Sequence, residues 1–171
     1  MEAMSTTVPP VIHRDLRSPN IFLQSLDVTA PVVAKVADFG LSTMAPGNRA
    51  AGMLHSWRWL APEVIDHVGL RQYGWESDVY SFGVVLWELC CGLFPFGEYT
   101  EGLGWDEWDV KQAILHHGLR PTIPEKCPAD FAELMRLCWA ADPKQRPSFT
   151  ELVARLSVDA PTAVAHLVRD S

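Results

Sequence analysis

Three short runs hold most of the residues in this chain that could do chemistry. His13-Arg14-Asp15-Leu16-Arg17-Ser18-Pro19-Asn20 comes first, Asp38-Phe39-Gly40 second and Ala61-Pro62-Glu63 third. Asp15, Asn20 and Asp38 supply two carboxylates and an amide, oxygen donors of the kind that suit a hard cation, and a carboxylate can also take a proton from a hydroxyl. Singly, each Asp reads as a solvated loop carboxylate. Softer chemistry has little support. Cys90-Cys91 and His116-His117 are adjacent pairs, and neighbours on a helix point in different directions, so neither pair makes a chelate. His116-His117 ahead of Gly118 reads instead as a helix C-terminus favoured by the dipole. The four Cys, at 90, 91, 127 and 138, lack both zinc spacing and the density of a disulfide scaffold, and are expected as reduced thiols in the core.

In this order the three runs resemble the protein-kinase signature, H-R-D with an Asn five residues after the Asp, then D-F-G, then A-P-E. Their wording narrows the resemblance. His13 through Leu23, the preceding Pro9-Pro10, Lys35-Val36-Ala37-Asp38-Phe39-Gly40 and Gly118-Leu119-Arg120-Pro121-Thr122-Ile123-Pro124 together resemble the Roco kinases of the tyrosine-kinase-like group, from about Pro9 to Leu156. The resemblance implies ATP-dependent phosphoryl transfer to serine and threonine hydroxyls of proteins, a chemistry of positioning and charge neutralisation. It implies Asp15 as the base that accepts the hydroxyl proton and Arg17 in the place of a Lys that touches the transferring phosphate. Asn20 and Asp38 are implied as the ligands of Mg2+ at the ATP site. His13 and Phe39 resemble stacked groups that link the catalytic loop to the Asp38-Phe39-Gly40 segment. Asp78 resembles a helix Asp that holds the loop's backbone, and Arg146, in Lys144-Gln145-Arg146-Pro147, an Arg that pairs with Glu63. The activation segment between Asp38 and Glu63 contains Ser42, Thr43 and Ser56, with Ser56 at the position of a phosphorylatable Thr and His55 in place of the usual Gly. A phosphate there is expected to recruit Arg14 through paired charge-assisted hydrogen bonds.

Around these residues the pattern predicts hairpin first and helices afterwards. Ile21-Phe22-Leu23 and Val32 to Val36 read as short strands separated by a turn around Asp27 to Pro31. A buried helix is expected from a cap at Ser77 or Asp78 through Leu89, ended by Gly92, with apolar residues around almost its whole circumference. Trp105 to Leu115 reads as a surface helix with acids near its start, and Asp130 to Trp139 as a third helix. Ser148 and Glu151 have the spacing of a capping box for a fourth. The fold class expected is mainly α (α+β), the C-terminal lobe of a protein-kinase-like fold with a few short β-strands and no N-terminal lobe. Residues 1–156 form the partial kinase domain and 157–171 a tail.

The chain has 171 residues, 48% hydrophobic and 20% charged, enough for one domain with a core of its own. Its 14 basic and 21 acidic residues give a net charge of -7, which argues against a nucleic-acid surface or adhesion to anionic lipid. With no spanning stretch and no signal-like start, the expected location is cytoplasmic.

Only twelve residues precede His13, so the Gly-rich loop, strand Lys and helix Glu of a kinase N-lobe are expected to be absent. Lys35 is not that Lys, because it enters the Asp38 run, and Gly102-Leu103-Gly104 reads as a surface turn. If the helix that normally precedes the catalytic loop covers about 400 Å², its loss forfeits on the order of 10 kcal/mol, and the isolated chain is expected to lean on a partner. That partner would be an N-lobe or a GTPase-type domain, beside the protein substrate. A truncated, non-catalytic kinase-like interaction module, binding partners through its activation segment and the Trp105 to Leu115 helix, is the alternative.

Overall fold

The computed structural model describes residues 11–27, 29–30, 33–42, 57–66 and 74–157. Pro9-Pro10, Val32, Thr43, His55, Ser56 and residues 158–171 lie outside them. The chain order is a hairpin followed by helices. Strands β1 (Ile21–Leu23) and β2 (Ala34–Val36) pair antiparallel, with Ile21 opposite Val36 and Leu23 opposite Ala34. The second strand is shorter than the apolar run suggested, because the carbonyl of Val33 is already used by the amides of Gln24 and Ser25 as the chain turns. Asp27 organises that turn, accepting hydrogen bonds from both the amide and the hydroxyl of Thr29.

Helix α1 (Pro62–Ile65) is a single turn started by a proline, which has no amide hydrogen to leave unpaired there. Helix α2 (Trp75–Cys91) is the 17-residue axis of the molecule. It begins earlier than expected. Gly74 is its N-cap, and Ser77 and Asp78 lie inside its first turn with their side chains turned to other segments instead of to the helix's own amides. Gly92 ends it with φ 66°, as foreseen. Val79, Tyr80 and Val84 on this helix are fully buried, whereas Leu89 is exposed, so the apolar girdle is not complete.

After α3 (Gly97–Thr100) comes α4 (Glu107–His117), which starts two residues later than Trp105. Asp106 and Asp109 cap it reciprocally, each side chain accepting from the other's amide, and a backbone with Asp at both positions satisfies two amides that a start at Trp105 would leave bare. Helix α5 (Ala129–Cys138) matches the third expected helix with each end shifted by one residue, and lies along α2. The crossing is close: a Cβ on Gly83 would sit 2.6 Å from Cys138 Cβ, so only glycine fits. A final helix, α6, spans residues 149–157 and opens on the Ser148–Glu151 capping box, with Glu151 accepting from Ser148 N at 2.7 Å.

The core gathers around α2, with Trp87, Phe96, Ile114, Met135, Phe149 and Leu152 almost wholly buried. Of the cysteines, Cys138 alone is buried, while Cys90, Cys91 and Cys127 are half-buried at the core's edge. Among the described residues no helix is long and apolar enough to cross a membrane.

Candidate active site

The loop from His13 to Asn20 is held from below by α2. Asp78 accepts the amide of His13 on Oδ2 at 2.7 Å and that of Arg14 on Oδ1 at 2.9 Å. Arg14 has φ 70°, a left-handed conformation that costs a residue with a side chain, and the bond to Asp78 falls on that residue. Burial pushes the carboxyl of Asp78 up to about 6, with the two amide donors and the nearby His13 and Arg14 working against it. His13 itself is fully buried, and its ring is used on both sides. Nε2 donates to the carbonyl of Ala37 at 2.9 Å, and Nδ1 accepts the amide of Asp15 at 3.3 Å, which assigns the ring proton to Nε2.

These bonds present Asp15. Its Oδ2 accepts Arg17 Nε at 3.2 Å and Asn20 Nδ2 at 2.9 Å, and the same Asn20 nitrogen donates to the Asp15 carbonyl at 2.8 Å. Pro19 helps to wind Ser18–Asn20 into a single 3-10 turn, which is how Asn20 comes back over Asp15. With its nitrogen committed, the Asn20 side chain turns its oxygen away from Asp15.

The Asp38 run reaches the same place through the hairpin. The amide of Ala37 donates to the Asn20 carbonyl at 2.9 Å, so Asp38 is one residue from a bond to the loop. Asp38 adopts φ 62°, ψ 63°, which turns the chain sharply into the 3-10 turn Phe39–Leu41. Phe39 packs on His13 with ring centroids 4.7 Å apart. A Cβ on Gly40 would come within 3.3 Å of Asp38 Oδ1, so glycine keeps that carboxylate uncrowded. Asp38 is exposed, while Asp15 and Asn20 are buried. The Asn20 amide oxygen and the exposed Asp38 carboxylate are hard oxygen donors of the kind that fit a magnesium ion. Ser42 donates weakly to the His13 carbonyl at 3.4 Å.

Glu63 and Arg146 form a separate, deeper brace. Arg146 Nη1 and Nη2 donate to the two oxygens of Glu63 at 2.6 and 2.9 Å, and Ser77 Oγ adds a third bond at 3.2 Å. The guanidinium also donates to the carbonyls of Glu76 and Ala140 at 3.0 Å each, so four of its five N–H donors are used. The pair ties α1 to the base of α2 and to the turn before α6. Tyr80 lies beside it, its ring 5.2 Å from the Arg146 guanidinium and 5.1 Å from that of Arg120, and burial pushes its phenol up.

Of the residues singled out from sequence, Asp15, Arg17 and Asn20 are in direct contact, and Asp38 is brought next to them. His13 and Phe39 stack, Asp78 holds the loop, and Glu63 pairs with Arg146. Arg14 is buried at the loop's turn, and Ser56 lies outside the described residues. Sequence reasoning missed Glu88, which accepts Ser18 Oγ and Trp59 Nε1, each at 2.8 Å. It also missed Ser81, whose hydroxyl donates to the Trp59 carbonyl at 2.8 Å. The Glu88 contacts bridge 70 and 29 positions, and nothing local in the sequence marks such a link.

Comparison with known proteins agrees with this arrangement. The sequence pattern described as protein tyrosine and serine/threonine kinase matches residues 6–156. The chain is 43% identical over 157 residues to the probable serine/threonine-protein kinase roco11 of Dictyostelium discoideum, covering 92% of this chain and 10% of that protein. It is 42% identical over 155 residues to the cyclic GMP-binding protein C of the same organism, covering 90% and 6%. With the serine/threonine-protein kinase STY46 of Arabidopsis thaliana it shares 37% identity over 147 residues, covering 85% and 23%. The chain thus spans about a tenth or less of the Dictyostelium proteins and under a quarter of the plant one. On a match that runs through nearly its whole length, the chain belongs to the protein tyrosine and serine/threonine kinase family, with Roco proteins among its relatives.

Proposed function

We propose that this chain is the helical lobe of a serine/threonine protein kinase, and that it carries the residues that transfer the γ-phosphoryl group of ATP to a protein hydroxyl. The observation that carries this is the Asp15 carboxylate, buried, oriented by Arg17 and Asn20, and backed by a loop fixed to α2 through Asp78. Asp15 accepts the proton of the incoming serine or threonine hydroxyl as its oxygen bonds to phosphorus and the bond to ADP breaks. Arg17, whose guanidinium is planar and permanently charged, holds one oxygen of Asp15 and offers its remaining N–H groups to the phosphoryl oxygens. Asn20 and Asp38 would hold the magnesium ion, which when bound neutralises phosphate charge. His13 and Phe39 keep the Asp38 segment against the loop, so that donors from two separate runs converge. Glu63, Arg146 and Asp78 act as scaffold.

The test uses the natural polypeptide that carries this segment, at whatever length the cell makes it. Incubated with magnesium, ATP and a serine- and threonine-containing protein acceptor, it should yield phosphoserine or phosphothreonine on hydrolysis of the product. Asp15→Asn, which keeps an oxygen to accept from Asn20, should lower the rate by about 10²- to 10⁴-fold, the range for loss of a general base. Phosphotyrosine as the main product would refute the serine/threonine assignment, and equal rates for the two proteins would refute the role of Asp15.

A further inference from the structure

Glu88 lies on α2, a little under three turns beyond Asp78, and among the described residues no cation pairs with it. Each of its oxygens accepts one donor, Ser18 Oγ on Oε1 and Trp59 Nε1 on Oε2, both at 2.8 Å. The donors belong to two different segments. Ser18 opens the turn that ends at Asn20 and so sets the amide that touches Asp15. Trp59 ends the 3-10 turn Trp57–Trp59 that runs into Ala61 and α1. The backbone of Trp59 is tied to the same helix by Ser81, and its ring packs edge-on against Phe94 at 5.6 Å. The carboxylate is therefore the shared point between the loop bearing Asp15 and the chain that enters α1, and it is half-buried where water would otherwise satisfy the two donors separately.

We propose that Glu88 is a positioning residue of the phosphotransfer site, one carboxylate that locks the catalytic loop and the segment 57–61 in a single relative placement and so aims Asp15 at the incoming hydroxyl. This rests on the kinase assignment above. Glutamine can keep both contacts, its oxygen accepting Trp59 Nε1 and its NH2 donating to the Ser18 hydroxyl, so the variant that removes both is Glu88→Met, similar in length and without a strong acceptor. Misplacement of a reacting group at constant chemistry lowers turnover more than nucleotide binding.

The test compares wild type, Glu88→Met, Ser18→Ala and the double variant in the natural polypeptide, with Asp15→Asn as the inactive control. Glu88→Met should lower kcat at least about tenfold while the KM for ATP stays within about twofold, and adding Ser18→Ala should cost nothing more. A kcat within about twofold of wild type, or losses that multiply in the double variant, would overturn the proposal. Amide hydrogen exchange supplies a readout that needs no activity. Ser18→Ala should speed exchange across residues 57–61 as well as in its own loop, and unchanged exchange over 57–61 would overturn the link. If wild type transfers no phosphate, the kinase assignment fails, and the exchange result alone decides whether Glu88 joins the two segments.

Discussion

The loop that carries Asp15 and the run that carries Asp38 arrive at one site with very different support. His13, Arg14, Asp15, Leu16 and Asn20 are all buried, and α2 grips their backbone through both oxygens of Asp78. Asp38, Phe39 and Gly40 are exposed, and the hairpin that delivers them shows bare apolar side chains, Phe22 at 59% and Leu26 at 87% exposure. What holds the second run to the first is the backbone bond between Ala37 and Asn20 together with the His13 ring and a weak bond from Ser42 to the His13 carbonyl. The difference teaches a division of labour. The group proposed to handle the proton is set by the core, whereas the groups proposed to hold the ion sit on an element whose position few contacts fix, the low-stability end from which moving parts are drawn.

Substitutions should reproduce that contrast. The largest effect is expected beneath the loop, at Arg146→Ala, which leaves the largely shielded Glu63 carboxylate without its cation and should cost about 3–5 kcal/mol, read as a lower midpoint of denaturant unfolding. Next comes Asp78→Asn, whose amide can accept only one of the two backbone donors and should cost about 2–3 kcal/mol. That variant also has a pH signature. Folding raises the pKa of Asp78 from 3.8 to about 6, so its titration contributes stability that is fully present below pH 3.8 and is lost as pH rises through about 6. Wild type should lose this contribution between those limits, and Asp78→Asn should show a flatter profile in unfolding measured at intervals across them. The smallest effect belongs to the hairpin, where Leu26→Ser should change stability by no more than about 0.5 kcal/mol. A Leu26→Ser loss as large as that of Asp78→Asn would erase the contrast.

The two supports also differ in how far they could be read from the sequence. The residues proposed for catalysis stand in ordered runs, and the hairpin and the Ser148–Glu151 box announce themselves through local spacing, so where each falls in the chain was visible without coordinates. Asp78 shows where local spacing stops and where the family resemblance, which implied a hold on the loop's backbone, reaches further. Its type and place suit a helix cap, yet the helix starts at Trp75 and the carboxylate serves the loop 64 and 65 positions away, because two buried amides there have no other partner. Gly83 looks like a weak point in a helix until α5 crosses it at a distance that no Cβ allows. Cys90, Cys91 and Cys127 were expected inside on residue type alone, but they fall at helix and loop ends where the core runs out. Tertiary contacts decide these cases, and local spacing alone does not display them.

The most direct measurement sets nucleotide binding beside turnover in the natural polypeptide, for Asp15→Asn and Asp38→Asn against wild type. The division of labour predicts that transfer is lost in both, that Asp38→Asn weakens binding of magnesium-ATP at least about tenfold, and that Asp15→Asn leaves binding within about twofold of wild type. Retained transfer in Asp15→Asn, or equal loss of nucleotide binding in the two variants, would contradict it.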